Sequence, residues 1–390
     1  MESKYHPDYL HTQLLFHKRV KQSSKENCKK VFKYLFFLFR ICAIFRTDNF
    51  SCTTSVNCIK RISLVTLNCF LVLLLTASII ANNTQKNYSA SASGNLAIAI
   101  ISLTHRWIIC SRIGTLQKLS FRIIKLSRDW NLDSTSGKRM SIYMWSCFAI
   151  LMHISYNGFS IITLYYDPHL STTNNFIFSP ALKVTIVVIF PTFIIGFLMF
   201  PVSLFALYYA AICRHLRDVL KNFTKTLEAE AYTDYVGALK QNLLIRKLIL
   251  EADSELSILV FTSTLYHAGS AYFGITSLLH IDEFKTFAGW MALSAIWSSA
   301  LGNFVPFLAM VVAGSSVHEA SASVWDKAQE MINAGQELTP SQKRFLSVAE
   351  KELAMTVWQI TPVKRSYILA TMGTILTYCI LLDSIVTNRK

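Results

Sequence analysis

Apolar residues gather into seven segments along the chain, at roughly 62–82, 94–112, 142–166, 182–212, 256–280, 286–313 and 366–386. Each is long enough to cross a hydrocarbon core of about 30 Å, which takes about 20 residues of helix. The fold class predicted is therefore all-α, a polytopic membrane protein with seven transmembrane helices. An earlier apolar stretch, residues 31–45, is shorter and carries Lys33 and Arg40. That combination predicts an interfacial or re-entrant helix rather than a span. The connection at 281–285 is only a few residues long, so segments five and six form a tight antiparallel hairpin. The stretches 214–255 and 314–365 are long, and apolar residues recur in them at three- and four-residue spacing. They are expected to be helices, including an amphipathic one around 341–360. Gly335 and Pro340 interrupt the second stretch, and Pro362 precedes the last segment. No internal repeat is evident, which weighs against the common repeat-built transporter folds.

Charge orients these segments. Residues 1–61 hold 12 Lys and Arg, 112–139 hold 7, 214–247 hold 7 and 327–365 hold 6. These four regions fall on one side of the seven segments. The other side has only Lys86, Lys183, Lys285, Arg389 and Lys390. Positive residues stay cytoplasmic, so the N-terminus is predicted inside and the C-terminus outside. The formal net charge of +15 is explained by basic loops facing anionic lipid, and no nucleic-acid partner is expected. Two sequons, at Asn82 and Asn87, fall in the first predicted outer loop. None of the nine cysteines falls in a predicted outer loop, so no extracellular disulfide is expected. Cys52 and Cys58 lack the paired spacing of a zinc site. No metal or cofactor is expected.

Few ionisable residues lie within the spans. Arg106, beside His105, is near enough to the inner end of its segment to snorkel toward headgroups. His153 and His267 fit ligand contacts, pH sensors or satisfied core histidines. No acidic relay and no Ser-His-Asp or HExxH arrangement appears, so the chain does not read as an enzyme. Tyr156, Asn157, Tyr272, Phe273, Trp290 and Trp297 are predicted to lie in the outer halves of segments three, five and six. Aromatic walls with a few polar groups suit a pocket for a small organic ligand. The same residues also suit helix packing and an interfacial aromatic belt. In the last segment Gly373, Thr377, Leu381 and Ser384 recur at three to four residues and form one small, partly polar stripe. It fits helix packing or a pore wall.

The stretch Thr377-Tyr378-Cys379-Ile380-Leu381-Leu382-Asp383-Ser384-Ile385 resembles the signature of invertebrate gustatory receptors, Thr-Tyr followed by five mostly hydrophobic residues and Gln-Phe. Ser384 and Ile385 replace the Gln-Phe, Asp383 interrupts the apolar run, and Gly373 also fits the signature. Length, span number, inverted orientation and the long sixth inner loop match too. The resemblance implies a divergent member of the insect-type odorant and gustatory receptor superfamily. It further implies a chemosensory, ligand-gated, non-selective cation channel in the plasma membrane of sensory neurons, assembled as a homotetramer or as a heterotetramer with related subunits. On that basis 1–61 is a cytoplasmic region, 62–313 holds six spans and the ligand pocket, 314–365 is a cytoplasmic anchor between subunits, and 366–390 is the pore helix with its external tail. Leu381 and Ile385 would form the gate, with Ser384 between them and Thr377 further in. A G-protein-coupled receptor would need the opposite orientation, and neither Asp-Arg-Tyr after segment three nor Asn-Pro-x-x-Tyr in segment seven is present. A light- or heat-sensing member of the same family remains open.

Epitope tags at both ends of the expressed protein should stain intact cells at the C-terminus only. Staining of an N-terminal tag without permeabilisation would reverse the orientation.

Overall fold

A computed structural model describes residues 30–42, 44, 66, 68, 72, 90–129, 136–166, 195–229, 235–279, 286–331 and 338–387. Helix α1 covers residues 30–41. It is followed by α2 (Ala90–Asp129), α3 (Ser136–Tyr166), a π turn (Ile195–Met199) running into α4 (Phe200–Ala229), α5 (Tyr235–Leu279), α6 (Phe287–Glu330), α7 (Pro340–Ala349) and α8 (Ser366–Thr387). Among the described residues four helical stretches are long and apolar enough to cross a membrane: Leu96–Ser127, Ser141–Thr163, Gly196–Glu228 and Gly289–Glu330. Ser366–Leu381 is a shorter apolar helix. Segment one lies almost wholly outside the described residues, as does most of segment four before Ile195.

The core forms around α4. Every residue from Pro201 to Ile212 is buried, so no side of this helix is left to solvent or lipid. A helix apolar all round belongs inside a bundle. It packs chiefly against α6, which also packs against α3 and α5. Outward faces of α2 and α3 expose Trp107, Met144, Leu151 and Ile154, a surface suited to lipid. Close approach of α6 to α3 depends on Gly302, where an added Cβ would stand 2.9 Å from the Met152 Cβ.

Two expectations are overturned. Arg106 does not snorkel. Its side chain is wholly buried, and its guanidinium binds the Cys42 carbonyl at 2.7 Å, the Phe197 carbonyl at 3.0 Å and Asn68 Oδ1 at 3.2 Å. The sequence explains why these oxygens can accept from a side chain. Cys42 lies just past the end of α1, where carbonyls have no intrahelical donor. Pro201 lacks the N–H that an α-helix would direct to the Phe197 carbonyl. Arg106 thus caps the end of α1, where a cation also suits the helix dipole. The second correction concerns 341–360. The helix there ends at Ala349, and the chain then forms a two-stranded hairpin, Thr356–Val357 with Thr361–Pro362. Backbone groups of this stretch find partners on α5 and α6 instead. Arg246 Nη1 donates to the Val348 carbonyl at 3.0 Å and to the Lys351 carbonyl, and Leu353 N donates to Ser321 Oγ at 3.0 Å. The β-branched run Thr356, Val357, Ile360 and Thr361 favours an extended chain once those partners exist. α7 itself begins as its sequence dictates, with Thr339 and Gln342 in a reciprocal capping box and Pro340 in the first turn.

Residues 30–41 pack into this core. Val31, Phe32, Leu35, Leu38 and Phe39 are buried, and Phe32, Phe36 and Phe39 stand edge-on to Tyr208 of α4.

Replacing Arg106 with Leu keeps apolar volume but removes the guanidinium donors from the Cys42 and Phe197 carbonyls and from Asn68. The fold should lose about 3 kcal/mol or more, read as a lower melting temperature of detergent-purified protein. An unchanged melting curve would mean that the clamp carries no stability.

Candidate ligand pocket and terminal helix

α5 presents different chemistry on different faces. On one face Asp253, Ser257 and Phe261 follow each other at four-residue spacing and meet the hairpin. Asp253 accepts the Thr356 N–H at 2.6 Å on one oxygen and the Thr356 hydroxyl at 2.8 Å on the other. The Ser257 carbonyl accepts the Trp358 N–H at 3.2 Å, and the Phe261 and Trp358 rings lie 4.6 Å apart. Burial raises the Asp253 carboxyl above its ordinary range, and the two Thr356 bonds offset part of that rise. At the hairpin tip Trp358 and Gln359 both take left-handed backbone angles, with φ of 52° and 57°. Each costs about 1–2 kcal/mol in a residue other than glycine. The contacts with Ser257 and Phe261 hold the turn in that form. Four residues after the hairpin, α8 begins, tied at its foot by an ion pair between Arg365 and Glu319 at 2.6 Å.

On its interior face α5 carries Ser263, Tyr266, His267 and Ser270, all buried. Facing them are His105 of α2, His153 of α3 and Asn303 of α6. His105 Nδ1 lies 2.7 Å from Thr262 Oγ1, and His153 Nε2 lies 3.1 Å from Ser203 Oγ. Thr262 Oγ1 also reaches the Ile258 and Leu259 carbonyls at 3.2 Å. With the threonine proton given to a carbonyl, His105 Nδ1 donates and Nε2 is left as an acceptor. Both ring nitrogens of His267, His105 Nε2, Ser263 Oγ and Asn303 Oδ1 are buried without a hydrogen-bond partner among the described residues. His267 lies within electrostatic reach of His105 and His153, and its ring packs against Tyr266 and Phe307. His105 and His153 are thus core histidines with hydroxyl partners, and His267 is not.

The residues predicted for the pocket are only partly brought together. Phe273 packs against the small cluster of Ile98, Val202 and Tyr266. Tyr156 is half-buried and within electrostatic reach of Tyr266. Asn157 and Trp297 are half-buried on α3 and α6. Tyr272 touches Phe273 edge-on at 5.5 Å, and its carbonyl faces α8, where it meets Cys379 Sγ at 4.0 Å. Trp290 stands apart, 52% exposed in the first turns of α6.

α8 is mostly bare. Ile375 and Cys379 are buried toward α5, with Cys379 Sγ 3.9 Å from Thr276 Oγ1. Gly373, Thr377 and Leu381 are exposed. Thr377 returns its hydroxyl to the Gly373 carbonyl at 2.8 Å, and Leu381 is 49% exposed. Cys379 and Leu381 are two positions apart, about 200° of helix, so the stripe lies opposite the packed face. Ser384 and Ile385 belong to the same helix, and their side chains lie outside what the structure describes.

The latch of Asp253, Thr356 and Trp358 was not foreseen from sequence. Its only trace there is an acid at the start of the 253, 257, 261 spacing on an otherwise apolar helix face.

This fold is that of the insect olfactory receptors. The structure of olfactory receptor OR5 from Machilis hrabei in complex with eugenol superposes with a TM-score of 0.65 at 13% sequence identity, covering 92% of this chain and 100% of that one. The structure of the same receptor described without that ligand gives 0.65 at 14% identity, covering 92% and 99%. No protein-family model and no curated protein sequence matches the chain. Both neighbours are olfactory receptors, and the shared fold together with the four long apolar helices among the described residues is that of a multi-pass membrane protein.

Asp253→Leu keeps bulk and removes both acceptors of Thr356. It should lower stability by about 1–3 kcal/mol, seen as an earlier thermal transition, while Asp253→Asn should recover part of the loss. Equal melting of the two variants would show that the Thr356 bonds contribute nothing.

Proposed function

We propose that this protein is a chemosensory receptor that works as a ligand-gated, non-selective cation channel of four subunits. The gustatory branch of the insect-type receptor superfamily is the one favoured by the signature ending at Ser384 and Ile385. The observation that carries the reading is the olfactory-receptor fold over 92% of the chain. The receptor of that fold from Machilis hrabei binds eugenol, and by extension a small organic molecule is the ligand class for this chain.

The geometry supports a mechanism. A ligand seated among Phe273, Tyr266, Tyr156 and Trp297 would bear on α5, α3 and α6. α5 continues past that region to the Asp253 latch, and the latched hairpin leads directly into α8. A ligand that binds better when α5 is displaced shifts the population toward that state, and the hairpin carries the displacement to the foot of α8. In the tetramer the stripe of Thr377, Leu381, Ser384 and Ile385 faces the central axis. Leu381 and Ile385, four apart and on one face, close the pore as apolar rings that exclude water. The anchor between subunits is formed by residues 314–365, whose Trp358 and Ile360 are exposed. The site of action is the plasma membrane of sensory neurons.

Leu381→Ser and Ile385→Ser should each give resting cation current without ligand, measured by whole-cell recording at matched surface expression. Silent resting current in both variants would place the gate elsewhere.

A further inference from the structure

Neutral imidazole offers one donor and one acceptor. In His267, only 2% exposed, neither has a partner among the described residues. Leaving such groups unmet in a dry interior is costly. The unmet atoms around it are of both kinds. His105 Nε2 and one nitrogen of His267 accept, and one His267 N–H and the Ser263 and Tyr266 hydroxyls can donate. Ser263 and His267 are four residues apart, so they share a face of α5. His105 and Tyr266 stand beside that face from α2 and α5, and Asn303 reaches the Tyr266 hydroxyl from α6.

The set selects a chemical class. A group that meets both kinds at once donates to an acceptor such as His105 Nε2 and accepts from His267 or Ser263. An alcohol or phenol hydroxyl does both, whereas an ether or a ketone can only accept. A carboxylate only accepts and would leave His105 Nε2 unmet, and an ammonium would find no counter-charge, since 94–112, 142–166, 256–280 and 286–313 contain no Asp or Glu. His267 sits five residues before Tyr272 and six before Phe273, about 8 Å further along α5 at 1.5 Å per residue. It therefore lies at the inner floor of a site whose walls are aromatic.

We infer that His267 is the specificity-determining residue of the ligand site, selecting small, neutral, hydroxyl-bearing organic compounds by hydrogen bonding to their hydroxyl. This rests on the pocket proposed above and adds the ligand class and the selecting residue.

The test uses the full chain in heterologous cells with calcium imaging. The probes are eugenol and 2-phenylethanol, each beside its methyl ether, and D-fructose. The wild type should respond to at least one hydroxylated probe, and the matching ether should be at least about tenfold weaker, the loss expected for an unmet buried polar group. His267→Phe should erase that gap by weakening the hydroxylated compound alone. His267→Gln, which restores a donor and an acceptor, should recover part of it and guards against a folding defect in the Phe variant. Equal potency of alcohol and ether, a parallel shift of both in His267→Phe, or silence of the wild type to every hydroxylated probe would overturn the inference. Phe273→Ala and Trp297→Ala separate the two levels of the argument. If they weaken responses while His267 variants do not, only this inference fails. If neither they nor the His267 variants matter, the pocket itself is wrong.

Discussion

A guanidinium can sit inside an apolar bundle only where fixed oxygens replace its water. Arg106 meets that condition with two carbonyls and an amide, drawn from the end of α1, the π turn before α4 and residue 68. Each partner is available because the chain made it so. α1 stops and leaves its last carbonyls open, and Pro201 removes a donor from the helix that follows. One side chain of α2 therefore fixes how the N-terminal helix and the start of α4 meet in the core. Buried cations are weak evidence for stability in general. Here the gain is specificity of assembly, because one planar fork of N–H donors holds partners from three separate parts of the chain at once.

The same requirement for internal partners organises the stretch that leads into α8. Residues 351–360 belong to the stretch expected as an amphipathic helix around 341–360, yet an extended chain serves their backbone better once Arg246, Asp253, Ser257 and Ser321 stand ready to bond it. The result is a short hairpin with two strained residues at its tip, held against one face of α5 immediately before α8. Gly314 tightens this region further, since a Cβ there would come within 2.9 Å of both Tyr209 and Val363. With polar interior residues on one side and the latch on another, α5 is the element through which events in the bundle can reach α8.

The sequence made the described helices legible wherever burial is uniform or one-sided. Among the described residues, segments two, three, five, six and seven fall in α2, α3, α5, α6 and α8, and the end of segment four falls in α4, because apolar length and period determine them. The continuation of α4 and α6 past the apolar segments, to Ala229 and Glu330, was also readable from three- and four-residue spacing. What could not be read were choices made between distant residues. Spacing alone could not reveal that Arg106 would find oxygens 64 and 91 residues away in the chain, or that α5 would claim the backbone of 348–358. The histidines show the same limit. His105, His153 and His267 look alike in sequence, and only the hydroxyls opposite the first two distinguish them from the third. Trp290 and Trp297, seven residues apart, share a helix face by arithmetic, yet their depth along α6 leaves one exposed and the other half-buried.

Whether the protein itself conducts ions is the central claim, and current through purified protein tests it without any cellular relay. The full chain, reconstituted alone into a planar bilayer, should be nearly silent at rest and pass current for sodium and potassium alike when eugenol or another activating compound is added. Folded, ligand-binding protein that never conducts, or a cellular response that disappears when G-protein signalling is blocked, would contradict the account.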